Sequence, residues 1–173
     1  MHTSQHYYTT QLEDYIQNLY HSLGIFVPEQ MNIMKVTQKL NIWIYFAPMG
    51  SCAIERNGLA SIVIDNRQPP QEQFEDFGHE LAHLLYHAGN QLHMPKMFLD
   101  YQEAKAQSFA MHFCIPTFML QKLSLPYSRL EAIYLISTTF NVTPELAEKR
   151  LEHYEQRILT SRFHDIVRAE YAV

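Results

Sequence analysis

The pattern of apolar and polar positions divides the chain near residue 70 into a mixed first part and a helical second part. Leu12, Tyr15, Ile16, Leu19 and Tyr20 recur at helical spacing behind Thr10 and Glu13, whose separation is that of a capping box, and Gly24 ends the run. Met31, Met34, Val36 and Leu40 predict a second helix starting near Pro28. "NIWIYFA" at 41–47 is a short run rich in β-branched and aromatic residues, broken by Pro48 and Gly50. Asn57-Gly58 predicts a two-residue hairpin turn, because both residues tolerate the positive φ of type I′. Strands are therefore expected at 52–56 and 59–65. With 42–46 they form a small, largely antiparallel three-stranded sheet, closed off by Pro69 and Pro70.

Beyond Pro70 the periodicity is helical almost to the end. Helices are expected at about 71–88, stopping at Gly89, and at about 100–115, ending before Pro116, with a loop at 90–98 around Pro95. A short helix follows at 117–123. "SRLE" at 128–131 opens another to about 140, and Thr143-Pro144 starts the last, running to about 160. No repeat, low-complexity tract or linker interrupts this order. The expected architecture is one α+β domain over 1–173, mostly helical, with the chemistry at 71–116 and a helical part at 117–173.

Composition changes this picture little but excludes some functions. Apolar content of 47% and charged content of 18% are ordinary for a folded domain with a real core. A net charge of -5 argues against a broad basic footprint, so no direct nucleic-acid partner is expected. Cys52 and Cys114 lie far apart in apolar runs and are expected to be buried free thiols of a reducing cytoplasm. The first residues lack the basic start and apolar run of a secretory signal, and no stretch reaches the roughly eighteen apolar residues of a membrane span. A cytoplasmic protein without membrane contact is expected.

The chemistry concentrates in "DFGHELAHLLYHAG" at 76–89. His79-Glu80-x-x-His83 is an H-E-x-x-H pattern, and residues four apart share one helical face about 6 Å apart. Two imidazoles so placed can converge on one Zn²⁺ at about 2.0–2.1 Å each. Glu80, displaced by about 100° around the helix, sits beside the ion, where its carboxylate can take a proton from an activated water. With ten histidines in the chain, roughly 0.04 chance matches to the pattern are expected, so an accidental match is uncommon.

A catalytic zinc takes three protein ligands, and the extended motif with a third histidine six residues after His83 is absent, since Gly89 stands there. The next long helix offers Glu103. Ala106 and Ala110, at i+3 and i+7 from it, are small enough for that helix to approach closely. His87 is about 12 Å along the axis from His79, too far to share one ion, and is expected to be structural. His93 and His112 have no ligand geometry.

"F-x-x-x-x-F-G-H-E-L-A-H-L-L-x-H", then "E-x-x-A-x-x-F-A-x-x-x-x-x-P" at Glu103–Pro116, then "F-N-V-T-P-E-x-A-x-x-R-L" at 140–151 resemble the ImmA/IrrE metallopeptidases. The likeness covers about 25–151, and its paired motifs are specific. It implies a zincin-like fold and an intracellular zinc-dependent peptidase with His79, His83 and Glu103 as metal ligands and Glu80 as catalytic base. It also implies a helix-turn-helix repressor as substrate, in the setting of a mobile element or prophage. "HFCIP" departs from the family's usual residues before the proline. Two rival readings are a non-catalytic, metal-containing regulator and a DNA-binding protein using the helices at 128–140 and 144–160. The strand around Ile62, Val63 and Ile64 is a candidate for pairing an extended substrate. Tyr101 and Tyr127 are candidates for steadying the oxyanion.

Overall fold

The computed structural model describes residues 7–86 and 96–171. In chain order it contains α1 (Gln11–Ser22), a 3-10 turn (Pro28–Gln30), α2 (Ile33–Leu40), β1 (Trp43–Ala47), β2 (Cys52–Arg56), β3 (Leu59–Asp65), α3 (Pro70–Tyr86), α4 (Lys96–Cys114), α5 (Thr117–Leu120), α6 (Arg129–Phe140) and α7 (Pro144–Tyr171). The architecture is α+β and zincin-like, with helices packed on a small sheet. No helix among the described residues is long and apolar enough to cross a membrane.

Most local signals act as the sequence predicts. Thr10 and Glu13 form a complete capping box, with the Glu13 N–H donating to the Thr10 hydroxyl and the Thr10 N–H to the Glu13 carboxylate. Asn57 and Gly58 both have positive φ, at 55° and 75°, as the hairpin turn requires. The Thr143 hydroxyl accepts from the Leu146 N–H at 3.2 Å behind Pro144, and Ser128 caps α6.

Several boundaries move for physical reasons. The second helix begins at Ile33 rather than near Pro28, because the Asn32 side chain accepts the N–H groups of Met34 and Lys35, and Pro28 serves only a separate turn. α4 begins at Lys96, so residues 96–98 are helical, not loop. Pro95 restricts the residue before it rather than those after it. α5 stops at Leu120. α7 runs to Tyr171, well past 160, since neither Gly nor Pro follows Pro144. The expected helix end at Gly89 and the loop around Pro95 lie outside the described residues.

The sheet is mixed, not largely antiparallel. Its order is β1-β3-β2, with β1 parallel to β3 and β2 antiparallel to it. The hairpin accounts for the antiparallel pair, with Arg56 opposite Leu59 and Cys52 opposite Val63. β1 does not pair with β2, its neighbour in sequence. β3 carries the consecutive buried residues Ile62, Val63 and Ile64, a run suited to a strand covered on both faces, and it takes the centre. β1 then occupies its other edge, Trp43 opposite Ser61 through Ala47 opposite Asp65.

Phe113 on α4 is the hub of the core, stacked on Tyr20 and Phe109 and touched by Phe74 and Phe77 from α3. A second, polar centre joins α1, α5 and α7. The buried Glu13 carboxylate accepts from Tyr7 and Thr117, and Arg150 lies 3.6 Å away with no solvent exposure. The Arg150 guanidinium also donates to the Ile115 carbonyl and the Thr117 hydroxyl. Every strong hydrogen-bonding group of this ion pair therefore meets a partner, as burial of charge demands.

Candidate metal centre

α3 turns Phe74, Phe77 and Leu81 into the core, which leaves His79 and His83 half-buried on another face. Their Nε2 atoms are 3.0 Å apart. Glu103 reaches them from α4, with Oε2 3.2 Å from His79 Nε2 and Oε1 3.4 Å from His83 Nε2. A tetrahedral zinc with bonds of about 2.0–2.1 Å separates its ligand atoms by about 3.3 Å. The three separations, two of them ending on different oxygens of the one carboxylate, lie near that spacing, and two imidazoles with one carboxylate are a donor set that zinc accepts. Among the described residues this is the one group of histidine, cysteine or acidic side chains arranged to hold an ion.

The reach of Glu103 depends on how closely α3 and α4 approach. Ala106 and Ala110 are buried at the contact, as their spacing from Glu103 predicts. The other half of the contact is Gly78, which sequence reasoning missed. A β-carbon there would lie 3.1 Å from Cys114 Sγ, 3.3 Å from Phe113 Cδ1 and 3.4 Å from the Ala110 Cα. The signal was available: a glycine inside an apolar helix costs about 1 kcal/mol against alanine, which calls for a close approach to explain it. Cys114, one of the departures from the family pattern, is the residue packed into this space. It is a buried free thiol, while Cys52 is a half-buried one.

Glu80 lies beside the triangle and against β2. The Ala53 N–H donates towards its carboxylate. Burial raises its pKa above the ordinary range, with His79 and the Ala53 bond opposing and Asp76 and Glu103 adding to the rise. A carboxylate so placed gains basicity, the direction a general base needs. One turn earlier, Asp76 accepts from the Ser51 hydroxyl, and the same hydroxyl accepts the Asp65 N–H, which pins α3 to the start of β2.

The strand beside the site is β2, not β3. Ile62, Val63 and Ile64 cannot pair a substrate, because β1 and β2 already occupy both edges of β3. In the hairpin, Arg56 and Leu59 flank a two-residue turn and form a hydrogen-bonded pair, so Ala53 and Glu55 direct their backbone groups to the free edge. Of the two tyrosine candidates, Tyr101 lies beneath Lys105 and beside Phe98, and Tyr127 is fully exposed ahead of α6. His112 is neither a ligand nor a surface residue. It is buried, its Nδ1–H donates to the Ser108 carbonyl, and its ring packs edge-on against His153. His87 and His93 lie outside the described residues.

Helices on a small mixed sheet, with an H-E-x-x-H helix facing a helix that presents Glu103, define the class: an α+β, zincin-like domain with a site able to take a metal ion. Residues 37–152 match the Peptidase M78 family, described as the IrrE N-terminal-like domain, and the chain belongs to that family. It is 45% identical over 150 residues to the phage-like element PBSX protein XkdA of Bacillus subtilis (strain 168), covering 87% of this chain and 76% of that protein. It is 37% identical over 161 residues to the uncharacterized protein YqaB of the same organism, covering 93% of this chain and 94% of that one.

Proposed function

We propose that this chain is a zinc-dependent endopeptidase of the cytoplasm that cleaves a helix-turn-helix transcriptional repressor belonging to a phage-like element. The observation that carries the reading is the convergence of His79, His83 and Glu103 with Glu80 at their side. A structural metal site has no use for a basic carboxylate in that position.

His79, His83 and Glu103 would hold the ion, which when bound lowers the pKa of water and polarises the scissile carbonyl. Glu80, steadied by the Ala53 N–H, takes the proton of the attacking water and passes it to the leaving amine. The free edge of β2, through the Ala53 carbonyl and the backbone groups of Glu55, receives an extended substrate segment, so that the scissile bond lies over α3. The family and the phage-element relative support a peptidase acting in such an element, and the negative charge suits a basic, DNA-binding substrate.

The test is to incubate the zinc-loaded protein with casein and with the helix-turn-helix repressor encoded beside its gene, and to read fragments by mass spectrometry. Cutting of the repressor at one site, abolished by chelation, with casein intact, is the expected result. Equal digestion of both would mean a general peptidase. Binding of the repressor without cleavage would mean a metal-containing regulator.

A further inference from the structure

β2 is the edge strand beside the metal centre, and its direction along α3 fixes which of its residues stand next to the chemistry. The Ser51 hydroxyl, just before β2, donates to Asp76 of α3. A short connection, residues 66–69, leads from β3 into α3, which packs back across β3 and β2. Since β2 is antiparallel to β3, β2 and α3 run the same way. Two residues of a strand advance about 6.6 Å and four residues of a helix about 6 Å, so the two stay in step. Ala53 therefore falls beside Glu80, to whose carboxylate its N–H donates, and Glu55 falls beside the next turn, which carries His83.

Pairing within the sheet fixes the side chains as well. Ala53 lies opposite Ile62 and Glu55 opposite Ala60, and Ile62 is fully buried in one core with Phe77 and Leu81 of α3. Residues directly opposite share one face, so Ala53 and Glu55 take the face that α3 covers, and Ile54 and Arg56 take the other. Glu55 is exposed and, among the described residues, makes no ion pair. Arg56, the cation next to it in sequence, is turned away from it by the alternation of the strand.

A segment added to β2 in the antiparallel sense, the more stable pairing per residue, meets Glu55 before it meets Ala53. The scissile bond lies by Ala53, because Glu80 is held there. The substrate residue opposite Glu55 therefore belongs to the amino side of that bond, two positions ahead of the residue opposite Ala53. Its side chain stands on the same face as the Glu55 carboxylate and next to it. We infer that Glu55 determines specificity at this position, selecting lysine or arginine and rejecting aspartate or glutamate. The inference rests on the peptidase reading for the occupant of the edge, and on Glu55 for the choice of charge.

The probe is a set of ten-residue peptide libraries of otherwise randomised sequence, each position in turn fixed as Lys, Arg, Ala or Glu. Cleavage by the zinc-loaded full chain is read by mass spectrometry, and binding to zinc-loaded Glu80→Gln by fluorescence anisotropy. We expect one position on the amino side of the cut to favour Lys and Arg over Glu by about fivefold, with Ala between. Glu55→Gln should abolish this preference and Glu55→Lys reverse it, with zinc content and thermal midpoint unchanged. Glu29→Lys, the same change of charge on the 3-10 turn, should leave the preference as in the wild type. Cleavage with no charge preference at that position, or a preference that survives Glu55→Lys, would overturn the inference and leave the peptidase reading intact. Charge-selective binding to Glu80→Gln that Glu55→Lys reverses, without cleavage by the wild type, would sink the peptidase reading and keep the role of Glu55. Peptides neither cut nor bound would remove the β2 edge as a substrate site and the inference with it.

Discussion

Gly78 and Cys114 face each other across the α3–α4 interface so closely that a β-carbon at 78 would come within 3.1 Å of the thiol, a contact that requires the neighbour to give way. Glu103 is carried to the histidines by the same pair of helices. Gly78→Ala gains about 1 kcal/mol of helix propensity but overpacks a site where crowding costs about 1–3 kcal/mol, so a net loss of about 1 kcal/mol is expected. Zinc affinity should fall severalfold as α4 is pushed away. Adding Cys114→Ala should restore part of both, because it removes the closest atom. Urea denaturation and competition titration with a zinc chelator check this; a Gly78→Ala protein unchanged in both would disconnect the interface from the ligand geometry.

Glu80→Gln should retain zinc and fold while losing at least 10²–10⁴-fold in cleavage of the repressor. The amide keeps the shape of the carboxylate but cannot accept a proton. Steady-state cleavage with metal content measured on the same sample decides the matter, and wild-type turnover by this variant would exclude Glu80 as the base.

Glu103→Ala removes the carboxylate whose two oxygens lie 3.2 and 3.4 Å from the Nε2 atoms of His79 and His83. Loss of one of three protein ligands should lower zinc occupancy sharply in protein purified without chelator. The side chain is about half exposed, so the fold should persist with little change in the apo protein. Elemental analysis beside circular dichroism distinguishes the two effects, and full occupancy would remove Glu103 from the ligand set.

Arg150→Met should cost about 3–5 kcal/mol, because it leaves the Glu13 carboxylate buried without its counter-charge. Glu13 is held down at about 2: burial pushes it up, but the bonds from Thr117, Tyr7 and Thr10 outweigh that. Pairing Arg150→Met with Glu13→Gln should recover a large share of the loss. Chemical denaturation of the two single variants and the double variant measures the coupling, and strictly additive losses would contradict a shared ion pair.

His112 gives the protein an acid sensitivity of its own. Burial and the Arg150 charge hold its pKa at about 4, below the ordinary value of about 6.5. As pH falls through 6.5 the unfolded chain takes this proton and the folded chain does not, so stability declines between about 6.5 and 4. The slope approaches 1.4 kcal/mol per pH unit, for a total on the order of 3 kcal/mol. Glu13 acts lower, its contribution being present above about 4.5 and lost as pH falls towards 2. His112→Gln should flatten the upper part of this decline relative to the wild type, measured by urea unfolding at pH 7, 5.5 and 4.5. Parallel profiles for the two proteins would assign the acid sensitivity elsewhere.

What the sequence determined by itself were features that depend on near neighbours in the chain. The helical repeat places His79, Glu80 and His83 around one turn whatever surrounds them, and Asn57-Gly58 turns a hairpin for reasons internal to those two residues. Only the tertiary structure decided which strand is central, because that depends on which residues are covered on both faces, and β3 takes the middle through Ile62 and Ile64. The free edge beside the metal centre is therefore β2. The same holds for Glu103: its spacing to Ala106 and Ala110 marks a face, but its distance from two histidines on another helix exists only once α4 packs against α3. The Glu13–Arg150 pair lay furthest out of reach, since 137 positions separate charges that only the packing of α1 against α7 brings together. An ion pair between distant residues leaves no periodic trace in a sequence, and burial, the property that makes this one matter, belongs to the folded chain.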